Sequence, residues 1–191
     1  MLSALLLGAR GAAAQPYRDK LPAPTLAIMQ QLSGYTKARD FDQIERLLPI
    51  IKPWTDALAA KFGVDVAAQL HHAAAAQDAK KASVAARHLT VMEVRDLLGL
   101  ALARLKESPE SAKTRMKAAY LHYLSLSPDV EFAADQRIKR SFRSAILASG
   151  LSTPYAPDKG SPSREPIAST EVEGLIAAID KQIAEALPIA Q

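Results

Sequence analysis

Four histidines carry most of the chemistry that this 191-residue chain offers: His71 and His72, adjacent in the stretch LHHAAAAQDAKK, then His88 and His122. Imidazole is the commonest metal ligand and the side chain that titrates near neutral pH. A helix chelates one ion through ligands at i and i+4, which sit one turn apart on a single face. His71 has Ala74 and Ala75 at the i+3 and i+4 offsets, and His72 has Ala75 and Ala76. Asp78 shares a face with His71 but lies about 10 Å along the axis, too far to share an ion. Neighbouring residues on a helix diverge by about 100°, so the pair does not converge on one centre. His88 has Met92 at i+4, a combination suited to a soft ion such as Cu(I) if the helix is continuous through Thr90. His122 leans away from the face formed by Met116, Tyr120 and Tyr123, as expected of an exposed or simply hydrogen-bonded side chain. A centre built on His71, His72, His88 and His122, taking iron, copper or b-type haem, therefore requires several helices to bring its ligands together. No Cys/His spacing marks such a centre, and the Glu-x-x-His pairs of di-iron bundles are absent.

A second group is basic. The stretch DQRIKRSFR places Arg137, Lys139, Arg140 and Arg143 around an apolar Ile138–Phe142 stripe, and Lys113, Arg115 and Lys117 precede them on the neighbouring helix. Charge runs of this kind are ordinarily solvated helix surface; their functional use is to dock an acidic partner or an anionic ligand. Aromatic residues are not interleaved as binding of single-stranded nucleic acid needs, so no nucleic-acid partner is expected. Catalysis has no signature: there is no nucleophile–histidine motif, glycine-rich phosphate loop or zinc-protease motif. Acidic residues stand at helix starts, where capping and the helix dipole account for them.

The elements that position these residues are helical. Aromatic residues make up 5% of the chain against 49% apolar residues overall, so alanine and the aliphatics must fill the interior. Alanine has the best helix propensity, and no run of alternating β-branched residues marks a strand. The expected fold is all-α: an antiparallel bundle of about six or seven short to medium helices, with a Pro/Ser-rich strap and a C-terminal amphipathic helix.

The first helix is expected from Thr25, with Leu26, Met29, Leu32 and Tyr35 or Thr36 on one face. Asp40 with Gln43 forms a capping-box pattern for the next. Pro49 and Pro53 lie inside that second segment and predict a kink or break, and Gly63 ends it. Asp65 caps the helix that carries His71 and His72. Breaks are expected near Asp78 and near Thr90, where Thr90 and Glu93 form a further capping-box pattern. Ser108-Pro109 and Ser127-Pro128 each read as an N-cap followed by proline at the first helical position. Residues 150–169, rich in Pro, Ser and Gly, read as a linker or strap. Thr170 with Glu173 then opens an amphipathic helix over 170–188, with Val172, Leu175, Ile176, Ile179, Ile183 and Leu187 on one face, docked on the bundle or on a partner. Its acids Glu171, Glu173, Asp180 and Glu185 suggest an intramolecular latch onto Arg137 and Arg140.

In outline, a bundle with a methionine on its first helix (Met29) and a histidine on a late one (His122) is similar to the b-type cytochromes. The likeness is one of layout, covers no extended motif, and implies haem as the ligand. The stretch AAYLHYLSLSP is likewise similar to a tetratricopeptide repeat, but it occurs once and without a repeat period.

The N-terminus carries a short apolar run, Leu2–Leu7, and Ala12-Ala13-Ala14 before Gln15, the pattern of a signal peptide over residues 1–14. No positive charge precedes the run and Arg10 follows it, which places the true start upstream of Met1 in one reading. The expected organisation is a signal segment 1–14, a bundle 15–149, the strap and the last helix. No segment has the roughly 20 apolar residues that a membrane span requires. The chain lacks cysteine, which removes disulfides, iron–sulfur clusters and cysteine nucleophiles. Together these features predict a periplasmic or secreted, non-enzymatic binding or accessory protein that docks a protein partner. A periplasmic metal or haem carrier is the alternative, an enzyme assembled from distant residues a third, and without the signal segment the protein is cytoplasmic.

Overall fold

The computed structural model describes residues 23–149 and 169–189. The expected signal segment 1–14, residues 15–22 and the strap over 150–168 lie outside the described residues. Within them the chain is all-helical, with seven α-helices, one 3-10 turn and no strand. The helices are α1 (Ala23–Ala38), α2 (Phe41–Phe62), α3 (Val66–Ala75), α4 (Ala79–Arg104), α5 (Pro109–Leu126), α6 (Phe132–Ala148) and α7 (Ser169–Ala186).

The boundaries follow local chemistry. Asp40, Asp65 and Asp78 each accept a hydrogen bond from the backbone N–H three residues on, at Gln43, Ala68 and Lys81. Each satisfies one of the donors that a helix start leaves orphaned. Gly63 closes α2 in the left-handed region (φ 72°), which costs a residue without Cβ nothing, and its N–H bonds the Ala59 carbonyl. Since α3 has only ten residues, removal of its cap is readily measured. Asp65→Ala is expected to destabilise the protein by about 1 kcal/mol in urea unfolding. A change under about 0.3 kcal/mol would show that water replaces the cap.

The structure departs from the sequence-based expectation at four places. First, of the kink or break expected at Pro49 and Pro53, the break does not occur, and α2 runs through both. Both prolines are exposed, and their spacing of four puts both missing backbone bonds on the outer face, where water serves the freed carbonyls. Second, α4 does not break at Thr90. The Thr90 hydroxyl donates to the Ala86 carbonyl at 2.9 Å and lies 3.4 Å from the Met29 sulfur, while Glu93 turns to Trp54. Tertiary partners thus replace both arms of the expected capping box. Third, Ser127-Pro128 starts only a 3-10 turn over Ser127–Asp129, because Val130 is extended. Helix α6 begins at Phe132 and is capped by Glu131, whose carboxylate accepts from the Ala133 and Ala134 N–H groups. Fourth, α7 starts at Ser169, and Glu173 pairs with Lys106 at 3.2 Å rather than closing a capping box.

Helix α4 is the spine. Residues 88–94 are all buried, so this stretch shows no solvent face. Its first half packs Ala82, Ala85, Leu89 and Met92 into one apolar cluster with α1, α2 and α3. Its second half packs Val91, Val94, Leu98 and Ala101 into another with α5, α6 and α7. Helix α7 lies against α4 and α6 and buries Val172, Ile176, Ile179, Ile183 and Leu187. Each aliphatic side chain so buried is worth about 1.5–3 kcal/mol relative to exposure, which makes the apolar stripe the chief anchor of α7. Its acids reach Arg95 (to Asp180, 2.9 Å) and Lys106, not Arg137 or Arg140. The basic zone on α6 is thus not occupied by the acidic helix of its own chain.

Candidate functional site

The histidines separate into two environments. His71 and His72 are exposed on α3. His71 Nδ1 lies 2.9 Å from a Glu45 carboxylate oxygen of α2, and the two imidazoles stand 5.9 Å apart between centroids. This is a surface tie between α2 and α3, with one carboxylate and no third ligand among the described residues. His88 and Met92 do share a continuous helix, so the i+4 condition is met, and both are buried. Burial, and then the charge of Arg87, holds His88 below its ordinary pKa.

His122 is fully buried, contrary to the outward position its spacing suggested. Helix α1 covers that side of α5, and the Thr25 hydroxyl lies 3.2 Å from His122 Nε2. Nδ1 has no hydrogen-bond partner among the described residues. Burial alone pushes the imidazole down to about 4, so it is neutral at physiological pH. Met29, one turn along α1 from Thr25, meets Thr90. The two atoms named as haem ligands are therefore engaged with threonines where α1 crosses α5 and α4. Among the described residues, no group of three or more His, Cys, Asp or Glu side chains is placed to hold a metal ion.

The buried charges that spacing did not reveal lie along α4. The Trp54 indole N–H donates to Glu93 at 2.7 Å, and the Lys61 ammonium donates to Asp96 at 3.0 Å. Lys61 and Arg95 also both lie 5.4 Å over the Phe62 ring. Gly99 leaves the Lys61 ammonium uncrowded, since a Cβ there would stand 3.0 Å from it. These groups fasten α2 and α7 to the middle of α4. The only sequence signal for them was Glu93 and Asp96 standing in an otherwise apolar stretch.

Helix α6 carries the basic zone, and the structure divides it. Lys139 faces inward, donating to Ser127 Oγ at 2.7 Å and pairing with Asp135 at 2.8 Å. Asp135 also accepts from the Tyr123 hydroxyl at 2.8 Å. Burial pushes the Asp135 carboxyl up, but the bonds from Lys139, Ser127 and Tyr123 outweigh it and hold it below the usual range. Burial and the Asp135 hydrogen bond raise the Tyr123 phenol in turn. Lys139 is thus a structural residue and leaves the candidate set. On the neighbouring helix, Lys113 pairs with Glu110 at 2.8 Å and Lys117 is exposed.

Arg137, Arg140 and Arg143 point to solvent. Arg137 lies near Glu131, whose carboxyl is held low first by the Ala133 and Ala134 N–H groups and then by that arginine. Arg140 and Arg143 pair with no acid among the described residues. Beside them stand two apolar side chains that packing leaves outside: Phe132, 75% exposed, and Leu147, 44% exposed. At about 100° per residue, Phe132, Arg137, Arg140, Arg143 and Leu147 fall within an arc of about 140°. The buried residues Ile138, Phe142, Ala145 and Ile146 occupy the opposite side of the helix. The outer face of α6 is therefore a ridge of three arginines with an apolar residue near each end. Phe132 was legible in principle, since it lies off the Ile138–Phe142 stripe.

No helix among the described residues is long and apolar enough to cross a membrane. Comparison with protein-family models, with curated proteins and with solved structures returns no match.

Proposed function

We propose that the protein is an exported, non-enzymatic helical bundle that docks a protein partner through the outer face of α6. The observation that carries this reading is the juxtaposition of Arg137, Arg140 and Arg143 with the exposed Phe132 and Leu147 on one helix face. Arginine and aromatic residues are the side chains enriched at protein interfaces, where one supplies planar hydrogen bonding and the other apolar area. An exposed phenylalanine forfeits the stabilisation that burial would give it, and the fold offers it no inward position. The buried acids elsewhere support the same reading, because Glu93, Asp96 and Asp135 are each engaged in holding helices together.

The test is photo-crosslinking in cells that make the protein, with a benzophenone amino acid replacing Ser144, which is exposed on the arginine side of α6. A control replaces Asp56, exposed on α2. A discrete protein adduct from position 144 and not from 56 is the expected result. Absence of an adduct at 144, or the same adducts at both positions, would refute the reading.

A further inference from the structure

Resting on that reading, we infer that the partner presents an amphipathic α-helical segment of about four turns, acidic at its centre and apolar at both ends, which lies along α6. Length is set by the ridge. Phe132 and Leu147 are 15 positions apart, which is about 22 Å along a helix axis. The arginines at 137, 140 and 143 fill the interval at steps of three, so they stand on successive turns within an arc of about 120° on the outer side of the helix. A complementary segment therefore has carboxylates in its middle turns and apolar side chains about 15 positions apart.

Charge complementarity selects the sign. Arg140 and Arg143 have no acid of their own chain among the described residues to displace, and of the acids of α7, Asp180 and Glu173 are held by Arg95 and Lys106. Arginine also favours carboxylates geometrically, since its planar fork donates two parallel hydrogen bonds to the two carboxylate oxygens. Secondary structure follows from what α6 lacks. A helix ridge offers side chains but no free backbone edge, so an extended peptide gains no main-chain bonds there, whereas a helical peptide satisfies its own backbone.

The experiment is selection from a displayed library of helical peptides of about 16 residues, using the full chain as bait. Two further baits carry R137E/R140E/R143E or F132D/L147D, with retention of the wild-type helical circular dichroism required of both. Wild-type bait should enrich sequences with acidic centres and apolar ends. The arginine variant should lose the acidic bias and bind the wild-type-selected peptides at least tenfold more weakly; the second variant should lose the apolar ends. Enrichment with no acidic bias, no enrichment, or peptides that bind all three baits alike would overturn the proposal. So would tighter binding to phosphatidylserine vesicles or duplex DNA than to every selected peptide, which would assign the ridge to a membrane or nucleic acid. A crosslink from position 144 to a segment that is not acidic would defeat this inference and leave the docking function standing. Absence of any crosslink would defeat the function itself.

Discussion

Phe142→Ala is expected to destabilise the protein by about 3–5 kcal/mol, the usual cost of truncating a buried aromatic side chain. The ring is fully buried, and its centroid lies 5.2 Å from that of Tyr120 and 5.7 Å from that of Tyr123. Truncation opens a cavity in the second apolar cluster, where α4, α5, α6 and α7 meet. Domains of this size hold about 5–15 kcal/mol in all, so the substitution removes a large part of the total. The control is on the same helix. Phe132→Ala deletes an exposed ring and is expected to change stability by less than about 0.5 kcal/mol. Urea unfolding of the two variants checks both values. Similar costs for the two would mean that the orientation of α6 described above is wrong.

The second large effect is acid sensitivity centred on His122. Its folded pKa, about 4, lies below the ordinary imidazole value of 6.5 because burial penalises the cation. Between those values the unfolded chain binds more protons than the folded one, so stability rises with pH across the interval. The full contribution of neutral His122 is present above about pH 6.5. It declines as the pH falls, and below about pH 4 both states are protonated and the loss is complete. At about 1.4 kcal/mol per pKa unit, the full loss is about 3.5 kcal/mol. His88 is shifted in the same direction and adds to it. Carboxylates enter chiefly at lower pH, because Asp135, Glu131 and Asp78 are all held below their ordinary values. Unfolding free energies of wild type and His122→Gln at pH 7 and pH 5 separate the effects. The wild type should lose more than the variant over this interval. Parallel losses would show that His122 is not the group responsible.

The all-helical class was legible in the sequence because alanine content, apolar periodicity and capping residues all pointed the same way. Asp40, Asp65 and Asp78 cap helices where their spacing placed them. Local signals failed where tertiary contacts outbid them. Thr90 and Glu93 have the spacing of a capping box, yet Met29 and Trp54 take their side chains and the helix runs on. Pro49 and Pro53 stand inside a helix because they face water, which periodicity alone did not establish. The inward position of His122 depends on α1 folding over α5, a contact between residues 97 apart in the chain. The basic zone was visible as a charge run, but its division was not. Lys139 differs from its arginine neighbours only because its azimuth brings it to Asp135, whereas the outward position of Phe132 was open to reading from its place off the Ile138–Phe142 stripe.

Arg137, Arg140 and Arg143 on α6 are the residues proposed to form the docking face. The most direct measurement is the yield of the position-144 photo-adduct in cells, compared between the otherwise wild-type chain and R137E/R140E/R143E. The arginines are exposed, so the two proteins should unfold at nearly the same urea concentration. At equal protein levels, the adduct should fall at least tenfold in the charge-reversed protein. An adduct of undiminished yield, from a folded triple variant, would contradict the claim.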